Sequence, residues 1–184
     1  MTIAVLAPGY GGGPTQPILR KLAARLEALG VRARPIGFST AGKRPSRGYE
    51  AELADLRAAR DELLTAHGGP ALLLGRSFGG RMCAFLAAKE PPAALVLLGH
   101  PVAPPNRPRP ADEAALMEMV CPTLVVQGDR DELGPLPVLE RIAAANPRVE
   151  LSVLPGVGHD LGRMENEAVD RAIAWLEARS LVGS

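Results

Sequence analysis

Short, mostly apolar runs alternate along this chain with longer stretches whose apolar positions recur at helical spacing. The short runs occupy residues 2–7, 31–36, 71–74, 94–98, 123–127 and 149–154, and they read as strands buried on both faces. Between them, helical periodicity predicts helices over 17–29, 49–66, 80–89, 111–119 and 137–145, with 163–179 closing the chain. Regular strand–helix alternation predicts a parallel sheet covered on both sides, an α/β fold of three α/β/α layers. No linker, repeat or low-complexity tract interrupts it, so residues 1–184 read as a single domain. In such sheets the chemistry sits beyond the carboxyl ends of the strands, and the search for functional residues starts there.

One of those ends carries Gly75-Arg76-Ser77-Phe78-Gly79. The G-x-S-x-G pattern lies between an apolar run and a helical stretch, which is the setting of a nucleophile elbow. There the turn is so sharp that only small neighbours fit, and the serine hydroxyl is lifted above the sheet. Such a serine needs a histidine to take its proton and an acid to orient that histidine, in the chain order Ser, acid, His. Of the three histidines, His67 precedes the serine and His100 precedes the strongest acid candidates. His159 follows both, in a glycine-rich loop just past the 149–154 run. The turn after 123–127 offers Asp129, Asp131 and Glu132; the spacing Gly128-x-x-Asp131 favours Asp131, with Asp129 the alternative.

The tetrahedral oxyanion of such chemistry needs two donors. The backbone N–H of Phe78, directly after Ser77 and at a helix N-terminus, is one candidate. The other is the Tyr10 amide in the loop after the first strand, where Gly9 and Gly11 let backbone approach the substrate. That loop could instead be read as a phosphate cradle. However, Gly9-x-Gly11-x-x-Pro14 lacks a third glycine, the second strand ends without a ribose-binding acid, and no Walker lysine is present.

Composition narrows the partners. A net charge of +1 points away from nucleic acid and anionic membranes, and 47% hydrophobic with 22% charged residues is a globular balance. No apolar run reaches membrane-spanning length, and the opening residues have no basic segment of the kind a secretory leader carries. The chain therefore reads as cytoplasmic. Cys83 and Cys121 have no metal-ligand or redox spacing, so no metal and no cofactor is expected. Oligomeric state leaves no mark; a homodimer through a sheet edge is compatible with the pattern.

Taken together, these residues resemble the α/β-hydrolase superfamily over almost the whole chain. The closest likeness is to its compact KANL/Tex-like branch, with dienelactone hydrolases as more distant cousins. The similarity rests on the elbow 75–81, the Ala7-Pro8-Gly9 loop, Gly128-x-x-Asp131, and His100-Pro101 leading into Pro104-Pro105. The resemblance implies a Ser77, Asp131, His159 triad acting without cofactor on a small-molecule acyl ester. It also implies a minimal hydrolase fold: a mostly parallel six-stranded sheet with no cap. Dienelactone hydrolases usually carry Cys where this chain has Ser77, and some members of the compact branch act as assembly subunits. A binding or assembly protein with little turnover is therefore the alternative to a carboxylesterase-type enzyme.

The loop 99–110 should overhang the site, its prolines making a preformed wall. His100 is expected at that wall. Arg76, Arg107 and Arg109 could meet an anionic group there, although arginine in a loop is more often a solvated charge.

Overall fold

The computed structural model describes residues 1–183; Ser184, the end of the expected domain, lies outside the described residues. Its strands are β1 (Ile3–Ala7), β2 (Arg32–Pro35), β3 (Ala71–Arg76), β4 (Ala94–Leu98), β5 (Thr123–Gly128) and β6 (Val149–Leu154). They form one six-stranded sheet in the order β2-β1-β3-β4-β5-β6, and every neighbouring pair is parallel. The crossovers are helices α1 (Pro17–Ala28), α2 (Glu50–His67), α3 (Phe78–Lys89), α4 (Pro110–Met117) and α5 (Leu136–Ala145), and α6 (Glu165–Glu177) follows β6. No cap layer stands over the carboxyl ends of the strands among the described residues. None of the described helices is long and apolar enough to cross a membrane.

Side-chain alternation along each strand sorts the core into two halves. Ala4, Leu6, Leu72 and Leu74 pack with α1 and α6, whereas Ile3, Val5, Ala7 and Leu73 pack with α2, α3 and their neighbours. Strands β1, β3 and β4 sit mid-sheet with almost every residue buried, which explains their unbroken apolar runs. At one edge, β2 exposes Arg32 and Arg34 around buried Ala33, and that charge disfavours addition of a further strand.

Helix ends follow local chemistry. Pro17 and Pro110 open α1 and α4, where a missing N–H costs no helical bond. Helix α1 stops in a left-handed glycine: Gly30 has φ +76°, with Val31 N–H donating to Leu26 C=O and Gly30 N–H to Glu27 C=O.

Two boundary shifts bear on function. Strand β3 runs on to Arg76 and α3 begins at Phe78, so the expected five-residue turn shrinks to Ser77 alone. The chain also leaves β1 towards the α1 face of the sheet and leaves β3 towards the α3 face. That divergence opens a crevice between the two strand ends, and Ser77 stands beside it.

Candidate active site

Ser77 holds φ 48° and ψ −113°, a backbone region that side-chain-bearing residues rarely occupy. The surroundings over-determine it. Its N–H donates to Leu98 C=O and its C=O accepts from Arg81 N–H. The flanking glycines are required by close approach. A Cβ on Gly75 would lie 2.4 Å from Gly80 Cα, and one on Gly79 would lie 2.4 Å from the Ala7 carbonyl oxygen. Helix α3 is thus pressed onto β1 and β3, and the serine is forced outward.

His159 and Asp131 converge on it from loops 28 residues apart in the chain. The Asp131 carboxylate accepts from His159 Nδ1 at 2.8 Å, which leaves Nε2 as the acceptor for the Ser77 hydroxyl at 2.7 Å. Asp131 is 3% exposed and accepts two further hydrogen bonds: Leu133 N–H donates to Oδ1 at 2.9 Å and Gln127 Nε2 to Oδ2 at 2.7 Å. Asp129, the alternative acid, is exposed and accepts from Gly156 N–H at 2.8 Å, bracing the loop after β6 instead.

The two expected oxyanion donors are available. Neither the Phe78 nor the Tyr10 N–H has an acceptor among the described residues. The neighbouring Gly9 N–H is committed to Gln16 Oε1 at 3.0 Å. Gly9 and Gly11 line a recess of about 10 Å³ that borders the main cleft, and Tyr10 lines both.

That main cleft, about 760 Å³, lies beside Ser77 and is walled by two loops. One is the proline-rich loop after β4, contributing Pro101, Arg107 and Arg109, as its position predicts. The other, after β2, contributes Arg44, Pro45, Ser46 and Tyr49 and was not apparent in the sequence as part of the site. It is pinned by the fully buried Glu52, which accepts from Thr40 Oγ1 at 2.7 Å and Ser46 N–H at 2.9 Å. Burial works against that carboxylate, but the Ser46 and Thr40 hydrogen bonds outweigh it and hold Glu52 below the usual carboxylate range.

Aromatic residues are scarce, three Phe, two Tyr and one Trp, and all but the Trp gather here. Phe78 meets Tyr10, Phe38 and Tyr49 edge-on at centroid separations of 5.9, 5.6 and 6.1 Å, and Tyr49 stacks on Phe85 at 5.7 Å. Of these five, Tyr10, Tyr49 and Phe78 line the cleft and give it an aromatic wall.

Two expected substrate contacts are corrected. Arg76 and His100 do not line the cleft. Arg76 is 8% exposed because the alternation of β3 turns it inward, where its guanidinium donates to the carbonyls of Leu98, Gly99 and His159. Burial pushes its pKa down, partly opposed by Asp131, Asp160 and Glu165; an arginine stays protonated regardless. His100 is 1% exposed, with neither ring nitrogen partnered, and burial pushes its pKa down to about 4. Its backbone N–H, not its ring, is used: it donates to Gln127 Oε1 at 2.7 Å. Gln127 is a further residue that sequence reasoning missed. Fully buried, it joins Asp131 to the Gly134 carbonyl and the His100 backbone, yet inside an apolar run it gave no signal beyond being polar.

The fold and this site define an α/β-hydrolase. The chain belongs to that family: the pattern described as an alpha/beta hydrolase domain matches residues 1–182. An uncharacterised protein of Mycobacterium tuberculosis is 32% identical over 171 residues, which cover 82% of this chain and 60% of the relative. The chain therefore spans less than two thirds of the length of that curated relative. Among solved structures it is similar to an alpha-beta serine hydrolase homologue from Coxiella burnetii, with TM-score 0.78 and 25% identity, covering 96% of this chain and 85% of that one. A serine hydrolase without a lid from Xanthomonas campestris shares the fold at TM-score 0.71 and 21% identity, covering 93% and 82%.

Proposed function

We propose that this hydrolase is a carboxylesterase-type serine enzyme that cleaves small or medium acyl esters through an acyl-enzyme on Ser77. The observation that carries the reading is the Ser77–His159–Asp131 relay, built on a serine held at positive φ. Likeness to the serine hydrolase homologue from Coxiella burnetii supports it.

In this reading Ser77 Oγ adds to the ester carbonyl carbon and its proton passes to His159 Nε2. The carbonyl oxygen becomes an oxyanion facing the Tyr10 and Phe78 N–H groups. The tetrahedral adduct collapses, the carbon–alkoxy bond breaks, and the departing alcohol takes the proton from Nε2. Water then adds to the acyl-enzyme, giving its proton to His159. When the second adduct collapses, Ser77 Oγ recovers that proton and the acid leaves. Asp131 holds the imidazole in the required tautomer and stabilises its cation throughout.

With no cap over it among the described residues, the cleft is open to a soluble small molecule, and a single domain working in the cytoplasm completes the proposal. Its test is a fluorophosphonate probe read by intact mass. One adduct on the wild type and none on Ser77→Ala is the expected result. No adduct on folded wild-type protein would count for a binding or assembly role instead.

A further inference from the structure

The cleft beside Ser77 is cationic. Arg44, Arg81, Arg107 and Arg109 all line it, and among the described residues no acidic one does. Arg81 is the one that is neutralised: buried, it donates to both carboxylate oxygens of the equally buried Asp112. Its guanidinium also lies over the Tyr49 ring, 5.2 Å from the centroid, and so forms part of the aromatic wall.

The other three have no carboxylate partner among the described residues. Half-buried Arg109 donates from Nη1 to Pro101 C=O at 2.8 Å, which fixes its head at the cleft wall. Burial, and then the like charge of Arg81, push its guanidinium below the ordinary value; Asp112 opposes this and Arg107 adds to it. Arg44 and Arg107 are exposed at the mouth. The Arg44 loop is held by Glu52 as described, and by Asp55, which accepts from Ser39 N–H at 2.8 Å and Ser39 Oγ at 2.9 Å.

The cleft thus joins an aromatic side to a rim of uncompensated positive charge. A wholly apolar chain would leave those charges unused, and a cationic substrate would be repelled. A carboxylate fits them, because the planar guanidinium fork matches its two oxygens. We propose that the substrate is an ester carrying a second, ionised carboxylate, received by Arg107, Arg109 and Arg44 while its ester carbonyl faces Ser77. This rests on the hydrolase reading above.

The test compares two matched pairs of esters. 4-Nitrophenyl hemiadipate and its methyl-capped neutral analogue place the charge on the acyl side. 4-Acetoxybenzoate and its methyl ester place it on the leaving alcohol. In at least one pair the anion should be preferred by about tenfold in kcat/KM, the scale of one hydrogen-bonded charge pair. Which pair shows the preference tells which half of the substrate meets the arginines. The ratio should fall towards one as salt is raised on the wild type, and in Arg107→Gln with Arg109→Gln. Equal or better turnover of the neutral member in both pairs would overturn the proposal.

Calorimetry with adipate separates this idea from the hydrolase reading. Adipate binding that weakens in the double variant, with no ester cleaved, would leave the anion site standing and remove the esterase. Ester cleavage without charge preference, and without adipate binding, would do the reverse.

Discussion

The Arg76 guanidinium donates to the main-chain carbonyl of His159, tying the residue before Ser77 to the residue whose imidazole Nε2 stands 2.7 Å from the Ser77 hydroxyl. The same side chain holds Leu98 and Gly99 carbonyls at 3.3 Å, so one buried cation joins the ends of β3 and β4 to the loop after β6. Arg76 is a positioning residue: it does not line the cleft, and its bond to the His159 carbonyl anchors the loop that carries the imidazole.

Arg76→Ala should therefore lower kcat by about a hundredfold, the cost of a base displaced by roughly an ångström, while KM changes little. It should also lower stability by about 1–3 kcal/mol, since buried carbonyls lose their donor. Steady-state kinetics and urea denaturation on the same protein check both. An Arg76 that instead contacted substrate would show its loss chiefly in KM.

Strain at Ser77 gives a second test. Ser77→Ala should lose about 10⁶-fold in kcat, as triad nucleophiles do. It keeps a Cβ at φ 48°, so its melting temperature should stay near the wild type. Ser77→Gly relieves the backbone and should gain about 1 kcal/mol, or roughly 2–4 °C in Tm, while remaining equally inactive. Calorimetry of the two variants separates strain from chemistry.

The two aspartates of the β5 turn should part company. Asp131→Asn should cost about 10⁴-fold in kcat, because an amide facing Nδ1 favours the wrong tautomer. Asp129→Asn should leave kcat within a few-fold, since its carboxylate only braces Gly156 N–H. A larger loss for Asp129→Asn, read as kcat on a 4-nitrophenyl ester, would reverse the assignment.

His100 makes folding sensitive to acid. Folded, its pKa is pushed down to about 4 by burial, against an ordinary 6.5. Between those values the unfolded chain binds a proton that the folded chain refuses, so stability falls as pH falls through this window and levels out below it. The full effect is about 3 kcal/mol, as the folded pKa lies at about 4 rather than 6.5. Urea midpoints measured from pH 7 to 4 should show the loss, and His100→Leu should flatten that part of the curve.

The sheet, its strand ends and the meeting of Ser77, Asp131 and His159 were legible in the amino-acid sequence because they rest on local signals. Period and apolar runs mark strands such as 94–98 and 149–154 to the residue. G-x-S-x-G and Gly128-x-x-Asp131 are spacings dictated by tight turns, and chain order alone chose His159 from three histidines. The elbow was less exact: strand and helix both advance until only Ser77 separates them, since β3 gains its last bonds from β4, a partner distant in sequence.

What only the tertiary structure decided is where polar side chains point. Arg76 and His100 flank the nucleophile strand and the site loop, and both look like substrate contacts along the chain. Packing turns both inward, Arg76 to bind three carbonyls and His100 to lie unpaired in the core. Gln127, silent within an apolar run, becomes the support of Asp131. Arg44, 33 residues before Ser77, joins Arg107 and Arg109 only because Glu52 folds its loop over the crevice. Local periodicity can say which side of a strand a residue occupies. Whether that side meets solvent, a carbonyl or another charge depends on chain segments that periodicity does not see.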